Sequence, residues 1–132
     1  LEELLKTSDI VSLHVPLNKY TEHIINEDSL KLFKKGALLI NTARGGLVDT
    51  DALLKALDNK TLSGAGLDVI EGEELLVEEN IFNSPIEKAA KLIVASKKLL
   101  DNENVVLTPH NAFNSIEAVN RIIDTTIENL KN

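Results

Sequence analysis

Residues 37–49 read ALLINTARGGLVD: an apolar run, a polar Asn-Thr-Ala step, Arg44, then a glycine pair. An unbroken apolar run of strand length implies a strand buried on both faces, as in a parallel sheet covered by helices. The chain has two arginines against twelve lysines, and one of the two stands where this strand ends. Two adjacent glycines allow a sharp backbone turn and leave the guanidinium unshielded. An arginine at a strand end commonly makes a surface ion pair; the glycine pair weighs against that and marks Arg44 as a candidate anion-binding group.

Strand and helix alternate on either side of this stretch. Upstream, LEELLKTSD reads as the end of a helix, and IVSLHV (10–15) as a short strand closed by Pro16. Asn26 is placed to cap a short helix through LKLF, with Gly36 just beyond its end. Downstream, a helix is expected around 50–58, with Leu53, Leu54 and Leu57 on one side. GAGLDVI (64–70) is the third strand, its small residues permitting close approach of backbone or ligand. Ser84, Pro85 and Glu87 suit the N-cap, N1 and N3 positions of a helix on which Ile86, Ala90, Ile93, Lys97 and Leu100 recur at helical spacing. NVVLT (104–108) is the fourth strand. A last helix, starting near Asn114 or Ser115, carries Ile116, Val119, Ile123, Ile127 and Leu130 on one stripe. The acidic stretch 71–83 is a surface excursion or a partly helical loop.

This alternation implies an α/β fold with a parallel sheet covered on both faces. At 132 residues the chain is at most one domain with a real core, and 43% apolar with 27% charged residues is an ordinary globular balance. A net charge of −7 argues against a nucleic-acid surface. The lack of cysteine excludes disulfides, thiol catalysis and thiolate metal sites, and fits a reducing compartment. No apolar run reaches membrane-spanning length.

In parallel sheets ligands sit beyond the carboxyl ends of the strands. That rim collects His14, Arg44, Asp68, Glu71, Glu73 and His110. Each has an ordinary reading too. His110 after Pro109 suits a helix cap, Glu73 lies in an acidic run, and Asp68 suits a turn. His14 reads as a strand residue packed in the core, and His23 as half-buried with no special role. Gly64 and Gly66 are too short a motif for a phosphate loop.

Together, SLHVPL, INTARGGLVD, SGAGLDV, EGE and LTPHNAF, in this order, resemble the nucleotide-binding domain of the NAD-dependent D-2-hydroxyacid dehydrogenases over essentially the whole chain. PHNAF is similar to the D-lactate and D-hydroxyisocaproate branch. The resemblance implies a partial Rossmann-like, doubly wound sheet, with residues 1–132 as the C-terminal part of an NAD-binding domain. No G-x-G-x-x-G occurs, so the pyrophosphate loop is expected upstream, and most of the substrate domain is expected outside the chain. The last helix, about 115–130, is expected to pack back on that domain. The resemblance also implies a small 2-keto or 2-hydroxy acid substrate, NAD as cofactor, a homodimer and a cytoplasmic location, with no nucleic-acid or membrane partner.

By the same resemblance, Arg44 matches the substrate arginine, His110 the acid/base, and Glu73 the carboxylate paired with that histidine. Asp68 matches the acid near the nicotinamide carboxamide. Val15 and Pro16 match the loop beside the adenosine, Thr42 and Ala43 with the Arg44 backbone the nicotinamide wall, and Thr21 a further cofactor contact. The residue types suit the chemistry. A guanidinium binds a carboxylate in bidentate fashion, and an imidazole beside a carboxylate gives and takes a proton near neutral pH. The residues alone are expected to bind NAD poorly and turn over little. Other readings are an NADH-binding corepressor-like regulator on the same fold, and a phosphoglycerate-, glyoxylate- or formate-type dehydrogenase.

Overall fold

In the computed structural model, which describes residues 1–73 and 86–131, four parallel strands form one sheet in the order β1-β2-β3-β4. They are β1 (Ile10–Leu13), β2 (Ala37–Asn41), β3 (Leu62–Leu67) and β4 (Val105–Leu107). The helices are α1 (Glu2–Thr7), α2 (Glu27–Leu30), α3 (Thr50–Asp58), α4 (Ile86–Leu100) and α5 (Ile116–Leu130), with a 3₁₀ turn at Gly45–Leu47. This is the α/β parallel sheet that the alternating pattern implies, in the Rossmann-like form that the resemblance implies. No helix of the described residues is long and apolar enough to cross a membrane.

Local chemistry accounts for the element starts. Asn26 accepts from the amides of Asp28 and Ser29, and the Ser29 hydroxyl accepts from the Asn26 amide, closing a reciprocal cap. Asp49 caps α3 through the Ala52 amide, and Ser115 caps α5 through Ala118. The expected cap at Ser84 and Pro85 lies outside the described residues, as do residues 74–83 of the acidic stretch.

The core lies on one face of the sheet. Val11, Leu39 and Ala65 point into it, with Leu5, Leu30, Leu53, Leu57 and Leu99 from the helices. Strands added one after another in a single direction, joined by right-handed crossovers, place their connecting helices on the same side. This corrects the expectation for ALLIN. Its residues alternate rather than being buried on both faces, and Leu38 is 37% exposed. Ile10 and Val106 share that open face, at 59% and 67% exposed, and nothing among the described residues covers them.

Three further expectations change. β1 stops at Leu13, not Val15, so His14 is exposed beyond the strand rather than packed in the core. β3 begins at Leu62 and ends at Leu67, two residues earlier and three residues earlier than 64–70, because Leu62 already pairs with Ala37 and Asp68 turns towards another partner. Among the described side chains of α4, Ala95 and Leu99 are buried, while Ile93 and Leu100 are exposed. Two apolar stripes run along that helix, and only contact with the sheet selects one.

Candidate active site

β2 ends in a built turn. The Asn41 side chain is 1% exposed; its Oδ1 accepts from the Ala43 amide at 3.1 Å and its Nδ2 donates to the Arg44 carbonyl at 2.9 Å. Both bonds satisfy a buried amide and steer the backbone out of the sheet. The Arg44 side chain is thereby left exposed at the rim, its guanidinium donating to the Ala43 carbonyl at 2.6 Å. Gly45 is needed for close approach. A Cβ there would lie 1.9 Å from the Ile70 carbonyl oxygen and 2.5 Å from the Glu71 nitrogen. The first glycine thus lets two loops touch, a reason different from the unshielding that the sequence implies. Gly45→Ala is expected to cost about 2–3 kcal/mol or to push the two loops apart, as a denaturant titration would read.

A groove of about 770 Å³ follows the carboxyl ends of β1 and β2. Val15, Pro16, Thr42, Ala43 and Arg44, all expected at a ligand, line it. So do His14 and Leu17, which the sequence reading did not assign there; the shared strand ends were the available signal. The His14 ring shares a hydrogen bond with the Ser12 hydroxyl at 2.8 Å. Thr21 does not line the groove. Its hydroxyl donates to the Pro16 carbonyl at 2.6 Å and accepts from the Asn18 amide at 2.9 Å, so it shapes the 16–21 loop from beneath. The groove's size is typical of a small-molecule site, and its wall of Val15, Pro16 and Leu17 suits a flat heterocycle. No glycine-rich loop for a pyrophosphate occurs in the sequence, so these residues fit part of a dinucleotide.

At the end of β3, Asp68 is 4% exposed and its two oxygens are fully engaged. They accept from the Thr108 hydroxyl and from the amides of Asn111 at 2.8 Å and Ala112 at 2.7 Å. The Asp68 carbonyl also accepts the His110 amide at 2.8 Å. His110 is held in left-handed backbone, φ 50°, which a non-glycine residue keeps only when its surroundings enforce it. Burial pushes the Asp68 carboxyl up, but the bonds from Thr108, Ala112 and Asn111, with the nearby His110 charge, outweigh it and hold the carboxyl below its ordinary value. The stability it contributes is therefore present above about pH 4 and lost as pH falls through the lower folded value. Asp68→Asn should lower the melting temperature by several degrees at pH 7, with the difference from wild type narrowing at pH 3.

Glu73 reaches His110. Its Oε1 lies 2.9 Å from His110 Nδ1, and its Oε2 accepts from the Ile70 amide at 3.2 Å. The turn that allows this has Gly72 at φ 73° and closes through the Glu73 amide on the Ile70 carbonyl. Glu73 and His110 face a second cavity of about 300 Å³, with Asp68, Ile70 and Thr108. The structure thus joins Asp68, Glu73 and His110 directly, while Arg44 opens on the neighbouring groove. β2 and β4 flank β3, so the two stations share one rim, and their loops touch where Gly45 meets Ile70 and Glu71.

Known proteins are similar to this chain over nearly its whole length. A family model described as the NAD binding domain of D-isomer specific 2-hydroxyacid dehydrogenases matches residues 1–112. The D-specific alpha-keto acid dehydrogenase of Enterococcus faecium is 46% identical over 97% of this chain and 38% of its own length. The glyoxylate reductase of Thermofilum pendens is 47% identical over 98% of this chain and 33% of its own length. Among solved structures, the D-lactate dehydrogenase from Aquifex aeolicus, complexed with NAD and lactic acid, superposes with a TM-score of 0.84 at 43% identity, covering 98% of this chain and 38% of that one. The chain therefore spans well under half the length of these relatives.

Proposed function

This chain belongs to the D-isomer-specific 2-hydroxyacid dehydrogenase family, as part of its NAD-binding domain, and on that premise we propose that the full-length protein reduces a 2-keto acid to a D-2-hydroxy acid with NADH, reversibly. The observation that carries the proposal is the bond of 2.9 Å between His110 Nδ1 and Glu73, on the rim that also presents Arg44.

In this reading the Arg44 guanidinium binds the substrate carboxylate and polarises the adjoining carbonyl. NADH, when bound, supplies the hydride. Glu73 holds the His110 ring through Nδ1, which leaves Nε2 to give its proton to the carbonyl oxygen as that becomes a hydroxyl. In the reverse direction Nε2 takes the proton back. Val15, Pro16, Thr42 and Ala43 border the cofactor, Thr21 supports their loop, and Asp68 acts near the nicotinamide through the His110 loop that it anchors. Cofactor binding by the groove is supported by the family match and by the NAD-bound relative.

The substrate is proposed to be a small 2-keto acid such as pyruvate, in line with the D-lactate dehydrogenase relative; the glyoxylate reductase relative keeps glyoxylate as the second candidate. The exposed stripe of α5, with Ile116 and Leu130 at 79% and 82%, supports packing of that helix on a substrate domain outside this chain. A cytoplasmic homodimer completes the proposal, to be checked by light scattering and fractionation.

The test is NADH oxidation by the full-length protein with pyruvate, 2-ketoisocaproate, glyoxylate and hydroxypyruvate. Turnover that falls about a hundredfold on Arg44→Ala is the expected result. NADH binding with no turnover on any of the four would favour a regulator on the same fold.

A further inference from the structure

The turn Ile70–Glu73 carries two carboxylates, and the proposed chemistry uses only Glu73. Glu71 faces another way. Its Oε1 lies 2.8 Å from His23 Nε2, and its Oε2 accepts from the Thr50 amide at 3.1 Å. His23 shares an unusual feature with His110. Both adopt left-handed backbone, at φ 49° and 50°, and each sets its imidazole on a carboxylate of the same turn.

The His23 backbone is tied to the Arg44 loop. Its amide donates to the Gly46 carbonyl at 2.9 Å, and the Ile25 amide donates to the Leu47 carbonyl at 3.0 Å. With the Glu71–Thr50 bond these contacts close a ring: His23 to Gly46, along the chain to Thr50, across to Glu71 and back to His23. Gly45 sits against the backbone of Ile70 and Glu71, with no room for a side chain. The enclosed segment starts at Gly46, two residues after Arg44. The other end of the same turn holds Glu73, and through it His110.

We propose that His23 and Glu71 are positioning residues, which fix the separation between Arg44 and the His110–Glu73 pair. This rests on the dehydrogenase reading, because it concerns the geometry in which one group holds the keto acid and the other protonates it. The pair's side chains are 37% and 36% exposed, and ion pairs as open as that add little to global stability. Its role is therefore geometric. Neither residue touches substrate; both act through Arg44.

The test uses the full-length protein and two variants. His23→Asn suits the left-handed backbone but is too short to reach Glu71. His23→Gln restores the reach with a neutral N–H donor. His23→Asn is expected to lower kcat/KM for the keto acid about ten- to a hundredfold, as small misplacements of binding groups do. The dissociation constant for NADH and the melting temperature should stay at wild-type values, and His23→Gln should recover most of the loss. In an Arg44→Ala background His23→Asn should change nothing further, since its effect runs through that arginine. Wild-type kcat/KM in His23→Asn, or an undiminished loss in the Arg44→Ala background, would overturn the positioning role while leaving the dehydrogenase intact. A loss accompanied by a matching fall in melting temperature would also overturn it, in favour of a structural role. A wild-type protein without keto-acid turnover would remove the dehydrogenase reading and this role with it.

Discussion

Replacing His110 with alanine is expected to cut kcat for keto-acid reduction by about 10²–10⁴-fold, the usual contribution of one general acid. The dissociation constant for NADH should change little, because the groove of Val15, Pro16, Thr42, Ala43 and Arg44 does not include His110. Fold stability should change little as well. The His110 amide, not its ring, bonds the Asp68 carbonyl, and Asp68 itself takes the Asn111 and Ala112 amides. Steady-state kinetics, NADH fluorescence titration and a thermal melt together check this. A variant that keeps its turnover would remove His110 from the proton path. Glu73→Gln should have a smaller effect of the same kind, because the ring keeps a hydrogen-bonding neighbour but loses the charged one that fixes its orientation.

Replacing Arg44 is the second large effect. Arg44→Ala removes the one permanently charged group among the residues lining the groove. Losing one partner of a charged, hydrogen-bonded pair costs about 2–5 kcal/mol, so kcat/KM should fall about 30- to 4,000-fold. Arg44→Lys should fall between, with KM raised and kcat lowered together, because an ammonium keeps the charge but not the planar fork. The Asn41 splint bonds the backbone of residue 44 and not its side chain, so both variants should fold normally. Unchanged kinetics in Arg44→Lys would mean that only charge matters there, and unchanged kinetics in Arg44→Ala that Arg44 does not anchor the substrate.

Much of this was legible because it is local. Apolar runs, caps and glycines act within a few residues, so the four strands and the α/β order follow from the sequence, as does the cap at Asn26, while the structure selects Ser115 from the two candidates for the last helix. Because the ends of parallel strands share one rim, Arg44, Asp68 and His110 could be gathered as candidates before any contact was known. The resemblance carried by INTARGGLVD and TPH then narrowed the chemistry, and the family match over residues 1–112 agrees with it.

The rest depends on contacts between distant parts of the chain. Periodicity could not show that one sheet face stays open at Leu38 and Val106, since burial depends on what lies above a strand. Nor could it show which stripe of α4 packs inward. Gly45 looks like a turn residue in sequence, and only the Ile70 carbonyl beneath it reveals a steric requirement. Local pattern leaves Glu73 in an acidic run of ordinary appearance; the resemblance alone paired it with His110, and the Gly72 turn makes the contact. His23 and Glu71 are 48 positions apart, and no local pattern joins them. The sequence by itself determined the elements, their order and the residue types on the rim, because these follow from propensity and periodicity over a few residues. Beyond the Glu73–His110 pair that the resemblance implied, tertiary structure decided which side chains meet, because hydrogen bonds and close packing form only between groups that the whole fold brings within about 3 Å of each other.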